Sequence, residues 1–94
     1  MTFIAALLGA STLAHAQPPN VARDLAATCA NCHGTNGHAI AGASRLAGEP
    51  ADRLIRTFLE FRSGDRPATI MHQIAKGYTD EQIRLIADYF AAQK

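Results

Sequence analysis

The sequence carries almost no net charge: nine lysines and arginines stand against eight aspartates and glutamates, a formal +1. Without a one-sided field there is nothing to gather nucleic acid or an anionic membrane, and both are excluded as primary partners. Long hydrophobic runs are missing too. The longest, Phe3 to Ala10, falls far short of the ~20 apolar residues a transmembrane helix needs, so no membrane span is expected in the mature chain. No segment alternates apolar and polar residues with period two, which removes the signature of a half-buried strand, and no internal repeat is present. Only two cysteines occur. They suffice for one disulfide, a redox pair, part of a metal site or a haem anchor. At 94 residues the chain has room for one domain.

The missing charges are concentrated at the start. Met1 to Ala16 holds no Asp, Glu, Lys or Arg, and Phe3-Ile4-Ala5-Ala6-Leu7-Leu8-Gly9-Ala10 is followed by Ala14-His15-Ala16, small residues where a signal peptidase cleaves. Residues 1–16 therefore read as a secretory signal, leaving 17–94 as the mature domain of an exported protein. No basic residue precedes the apolar run, so the amino terminus alone supplies the positive end. The alternative is an apolar N-terminal helix that stays on the protein. A domain of the size that remains rarely builds a core worth more than ~3–5 kcal/mol. Its size favours a fold centred on a cofactor.

What is present is helical. Gln17-Pro18-Pro19 reads as an extended lead-in. Asn20 is suited to cap a helix through Val21, Leu25 and Cys29, spaced four apart on one face. Gly34, Gly37, Gly42 and Gly48 then mark a long irregular stretch of the kind that wraps a ligand. Pro50 opens a second helix with Leu54, Ile55, Phe58, Leu59 and Phe61 on its apolar face, closed by Ser63-Gly64. Ala68 to Lys76 predicts a short helix with Ile70, Met71 and Ile74 inward. Thr79 with Gln82 forms a capping box for the last helix, striped by Ile83, Ile86, Tyr89 and Phe90. The expected fold is all-α, about four helices.

The chemistry resides in Cys29-Ala30-Asn31-Cys32-His33, a C-x-x-C-H motif that marks covalent haem attachment. Two thiols one helical turn apart can reach the two vinyl groups on one edge of a porphyrin and form thioethers. The next residue, His33, is then held beneath the iron. Three other readings compete. A thiol-disulfide module needs a βαβ setting. A zinc site from Cys29, Cys32, His33 and His38 leaves the rest of the chain unexplained. A Cys29–Cys32 disulfide closes too short a loop to contribute much. For the far side of the iron the candidate is Met71, the one methionine outside the signal, whose thioether would raise the reduction potential relative to a second histidine. His72 and His38 are rival ligands, and an open position would suit an enzyme or gas sensor. With Met71 on the iron, His72 is expected to face solvent. Leu25, Leu46, Phe58, Ile70 and Ile74 are expected to bury the ring. Arg62 and Arg66 are candidates for its propionates. The arginines between Arg45 and Arg66 alternate with Glu49, Asp52, Glu60 and Asp65, and read as a mixed solvated surface.

The whole mature region resembles a class I cytochrome c of the bacterial type. The likeness rests on Cys29 through Gly37, on Leu46-Ala47-Gly48, on Phe61-Arg62-Ser63-Gly64-Asp65-Arg66, on Ile70-Met71 with Ile74 through Tyr78, and on Ala87-Asp88-Tyr89-Phe90. Within that class, Ala68 through Tyr78 is similar to the cytochrome subunit of flavocytochrome c sulfide dehydrogenase. The resemblance implies a small cytochrome fold around one haem c, bound through Cys29 and Cys32 with His33 and Met71 as axial ligands. It implies a periplasmic electron carrier, not itself an enzyme, that accepts electrons from a flavoprotein partner. Relatives with two haem domains exist, whereas this chain has one motif. Many relatives also place a proline before the Leu-Ala-Gly turn, its carbonyl supporting the histidine ring. Here the residues are Ala43-Ser44-Arg45, and a backbone carbonyl there can do the same.

Overall fold

The computed structural model describes Thr2, Gly9, residues 20–40 and residues 42–94. The expected signal, its cleavage site and Gln17-Pro18-Pro19 otherwise lie outside the described residues. Among the described residues five α-helices follow in order: α1 Val21–Ala27, α2 Ala30–His33, α3 Ala51–Ser63, α4 Met71–Ala75 and α5 Asp80–Ala91, with a 3-10 turn at Thr35–Gly37. Among the described residues there is no strand.

The extra helix comes from a break in the first one. Thr28 Oγ1 donates to the Leu25 carbonyl at 3.3 Å, a side-chain bond that competes with the helical ladder. The Cys29 N–H then donates to Ala26 O, three residues back, at 3.0 Å. That tightening separates α1 from α2 and places Cys29 at the junction. Asn20 does occupy the N-cap of α1, but its side chain makes no capping hydrogen bond. The α5 cap is complete: Gln82 N–H donates to Thr79 Oγ1 at 3.1 Å and Thr79 N–H to Gln82 Oε1 at 2.9 Å.

α1 and α3 both pack on α5, and α4 packs on α3. Ala26, Ile86 and Phe90 form the buried cluster, with Leu25, Cys29, Leu46, Leu54, Tyr78 and Tyr89 packed around it. Leu25 was expected against the cofactor and instead completes this α1–α5 contact. On α5, Ile83, Ile86, Ala87 and Phe90 are buried, while half-buried Tyr89 donates its hydroxyl to Asn36 Oδ1 at 2.7 Å. Pro50 sits at the N-cap of α3, and Gly64 ends that helix in the left-handed conformation with φ 85°, where glycine avoids the Cβ clash. Although α3 is 13 residues long, none of its residues is fully buried. Its inner face meets α4 and α5 and forms one wall of a cavity.

The short helix departs most from expectation. It begins at Met71 rather than Ala68, because Ile70 is its N-cap with non-helical angles of φ −138° and ψ −24°. Ile70 nevertheless lines the same cavity as Met71 and Ile74.

Candidate functional site

The cavity between α2, α3 and α4 measures about 600 Å³, within the ~300–1,000 Å³ usual for cofactor sites. Cys29, Cys32 and His33 line it from one side, Leu54, Thr57, Phe58 and Phe61 from α3, and Ile70, Met71 and Ile74 from α4. Ile86, Ala87 and Phe90 of α5 also contribute. The four residues singled out in the sequence thus share one mostly apolar chamber. Of the five residues expected to bury the ring, Leu46, Phe58, Ile70 and Ile74 line it.

His33 is held in a defined orientation. Its Nδ1 lies 2.7 Å from the Ser44 carbonyl oxygen, which can only accept, so Nδ1–H donates. In the neutral ring that leaves Nε2 with its lone pair, the arrangement by which a backbone carbonyl fixes a ligating histidine. Ser44 serves where relatives were expected to use proline; because the main chain supplies the acceptor, residue identity there is a weak signal. The loop is shaped for this contact: the Ala39 N–H donates to His33 O at 2.7 Å.

No disulfide joins Cys29 and Cys32. Burial pushes the Cys29 thiol above its ordinary value, the Thr28 hydrogen bond only partly offsetting it. A thiol-disulfide module sits in a βαβ unit, and among the described residues there is no strand.

The rival ligands are placed elsewhere. His38 directs Nδ1 to Thr35 O at 2.9 Å and Nε2 to Lys94 O at 2.6 Å, leaving neither ring nitrogen for the cavity. Among the described residues no three His, Cys, Asp or Glu side chains converge to hold a metal ion, so the zinc grouping of Cys29, Cys32, His33 and His38 is not assembled. His72 does not line the cavity. Nor does its ring simply face solvent as expected: Nδ1 is buried and has no partner among the described residues.

Arg62 and Arg66 separate. Arg62 pairs with Asp80 at 2.7 Å and reaches Tyr78 O at 3.5 Å, away from the chamber, whereas Arg66 stands on its rim. Tyr78 carries a role that was missed in the sequence. Its ring meets Phe58 edge-on at 5.7 Å and its hydroxyl lies 3.0 Å from Thr28 Oγ1, tying α3 to the residue beside Cys29. No periodicity could have announced it, since Tyr78 lies in the turn between α4 and α5.

No family model matches the chain. Individual relatives do. The cytochrome c-554(548) of Halomonas halodenitrificans is 36% identical over 75 residues, covering 76% of this chain and 90% of that protein. This chain belongs to the c-type cytochromes. The cytochrome subunit of sulfide dehydrogenase of Chlorobaculum tepidum is 39% identical over 66 residues, covering 70% of this chain and 60% of that protein. Among solved structures, the Acidithiobacillus ferrooxidans cytochrome c4 superposes with a TM-score of 0.68 at 30% identity, covering 77% of this chain and 49% of its own. The chain therefore spans about 60% of the sulfide dehydrogenase subunit and half of the cytochrome c4. The fold is that of a class I cytochrome c. Haem c is the cofactor and electron transfer the function that membership in this family implies, and the apolar chamber with an oriented histidine and two cysteines on its wall fits such a group.

Proposed function

We propose that residues 17–94 form a mono-haem electron-transfer domain, exported to the periplasm behind a signal at residues 1–16. Cys29 and Cys32 would attach the haem, and His33 and Met71 would hold its iron. When bound, haem c supplies a one-electron ferric/ferrous couple. The observation that carries the reading is the His33–Ser44 contact of 2.7 Å: it leaves Nε2 free in a chamber that Met71 also lines. The chain's own residues then keep the site stable during electron exchange. Ser44 fixes the imidazole, α4 presents the thioether, and Phe58, Phe61, Ile74 and Phe90 exclude water. Retaining both ligands in both oxidation states keeps reorganisation small.

Thiol labelling of the denatured protein, made in a host with c-type maturation machinery, tests the attachment. The expected result is no reactive cysteine; two labelled cysteines would restore the thiol reading.

The donor we propose is a flavoprotein that oxidises sulfide, by likeness to the Chlorobaculum tepidum subunit. Rapid mixing with such a flavoprotein and sulfide should reduce the haem faster than sulfide alone. Equal rates would remove that partner and leave a general carrier.

A further inference from the structure

Met71 sits in a stretch that is hydrogen-bonded to the rest of the chain only at its ends. From Pro67 to Gly77 the hydrogen bonds among the described residues stay within the stretch: Gln73 N–H and Ile74 N–H donate to Ile70 O at 2.9 and 3.1 Å, and Gly77 N–H to Ile74 O at 3.0 Å. α4 has five residues and its N-cap Ile70 supplies no capping bond, so the helix is too short to hold itself. One end of the stretch is fixed where Arg66 N–H donates to Glu60 O at 3.3 Å. The other end is Tyr78, which is fixed three times. Its ring meets Phe58 edge-on and packs against Ala26, Ile86 and Phe90. Its carbonyl is reached by Arg62 Nη1 at 3.5 Å, and its hydroxyl lies 3.0 Å from Thr28 Oγ1. Thr28 gives its one hydroxyl hydrogen to Leu25 O at 3.3 Å, so the Tyr78 O–H donates. Among the described residues this is the one hydrogen bond between residues 20–33, which hold Cys29, Cys32 and His33, and residues 67–78, which hold Met71.

Resting on the haem reading above, we propose that the Tyr78 hydroxyl is a positioning group for Met71: by clasping Thr28 it ties the thioether-bearing stretch to the attachment segment and slows the departure of Met71 from the iron. The two axial sides are built differently. His33 is fixed by a direct bond from its own ring to Ser44 O. A thioether is neutral and donates no hydrogen bond, so how long it stays in place depends on how rigidly the chain presents it, and the clasp lies just past the end of α4. The tyrosine also separates two roles. Its ring packs, and phenylalanine would keep that; its O–H makes the crossing bond, and phenylalanine would lose it.

The test is cyanide binding to the ferric holo-protein at saturating cyanide, where the limiting rate reports how often Met71 leaves the iron. Tyr78→Phe is expected to raise that rate roughly two- to tenfold, the range one net hydrogen bond spans. Thr28→Val should raise it by a similar factor, and Thr28→Ser should return it close to wild type. Tyr78→Phe combined with Thr28→Val should be no faster than the faster single variant, since both remove the same bond. An unchanged limiting rate in Tyr78→Phe, even with a lowered melting temperature, would overturn the proposal, as would effects that multiply in the double variant. Should Tyr78→Phe fail to mature, Thr28→Val beside Thr28→Ser still decides it. A wild type that binds cyanide as fast as Met71→Ala, with no limiting rate, would instead overturn Met71 as the ligand and the reading beneath.

Discussion

Replacing both attachment residues, Cys29→Ser with Cys32→Ser, is expected to leave a chain with little cooperative structure. The reason lies in how little the protein buries on its own. Among the described residues the fully buried hydrophobic ones are Ala26, Ala47, Ala75, Ile83, Ile86, Ala87 and Phe90. Four of these seven are alanines, and each adds little when removed from water. The large side chains that would extend the core, Phe58, Phe61, Met71 and Ile74, face a chamber of about 600 Å³ instead. Without an apolar body in that space they are packed on one side only and lose their dispersion contacts. A core this small leaves little to set against the entropy of ordering the loop from Gly34 to Gly48. Far-UV circular dichroism of the double variant should show weak helicity and a broad, non-cooperative melt. A sharp thermal transition without haem would mean that the polypeptide carries its own core and the cofactor is an accessory.

The largest effect from a single atom group is expected at Gly37. It adopts φ +78°, and an added Cβ would lie 2.8 Å from Phe90 Cδ1, 2.9 Å from Leu46 Cβ and 3.0 Å from the Ala47 nitrogen. One of these neighbours is main chain and another is a Cβ fixed to it, so they cannot swing aside. The Gly37 carbonyl also accepts from Leu46 N–H at 2.8 Å and Ala47 N–H at 3.0 Å, so displacing the backbone breaks bonds as well. The left-handed conformation costs a non-glycine residue roughly 1–2 kcal/mol, and overpacking adds about 1–3 kcal/mol. Gly37→Ala should therefore lower stability by about 2–5 kcal/mol in denaturant titration of the holo-protein. The loop it anchors also carries Ser44, so the His33 support should loosen with it. A change below about 1 kcal/mol would show that the loop is more plastic than its contacts suggest.

Much of this was legible in the residues because local rules and tertiary needs coincided. Thr79 and Gln82 specify the start of α5 by hydrogen bonds they make with each other, and the stripe on that helix is the face it buries. Cys29, Cys32 and His33 stand close together in the sequence, and the fold brings them onto one cavity wall. Other features depended on partners far away in sequence. The split between α1 and α2 arises from the Thr28 side chain, and an apolar spacing of four cannot register it. Ile70 reads as an inward residue by type, and it lines the chamber from a helix boundary that its type does not announce. The roles of Arg62 and Arg66 are indistinguishable in the sequence, since each follows acidic neighbours. Only the fold assigns Asp80 to one and the rim to the other. The buried, unpartnered Nδ1 of His72 has no explanation in its neighbours.

The central claim is a haem closed on both faces by His33 and Met71. The absorption spectrum of the reduced protein before and after carbon monoxide, taken beside that of Met71→Ala, tests it most directly. The account predicts a sharp low-spin spectrum that carbon monoxide leaves unmoved in the wild type and shifts at once in Met71→Ala. A prompt shift in the wild type, or a Met71→Ala protein that still resists the gas, would contradict it.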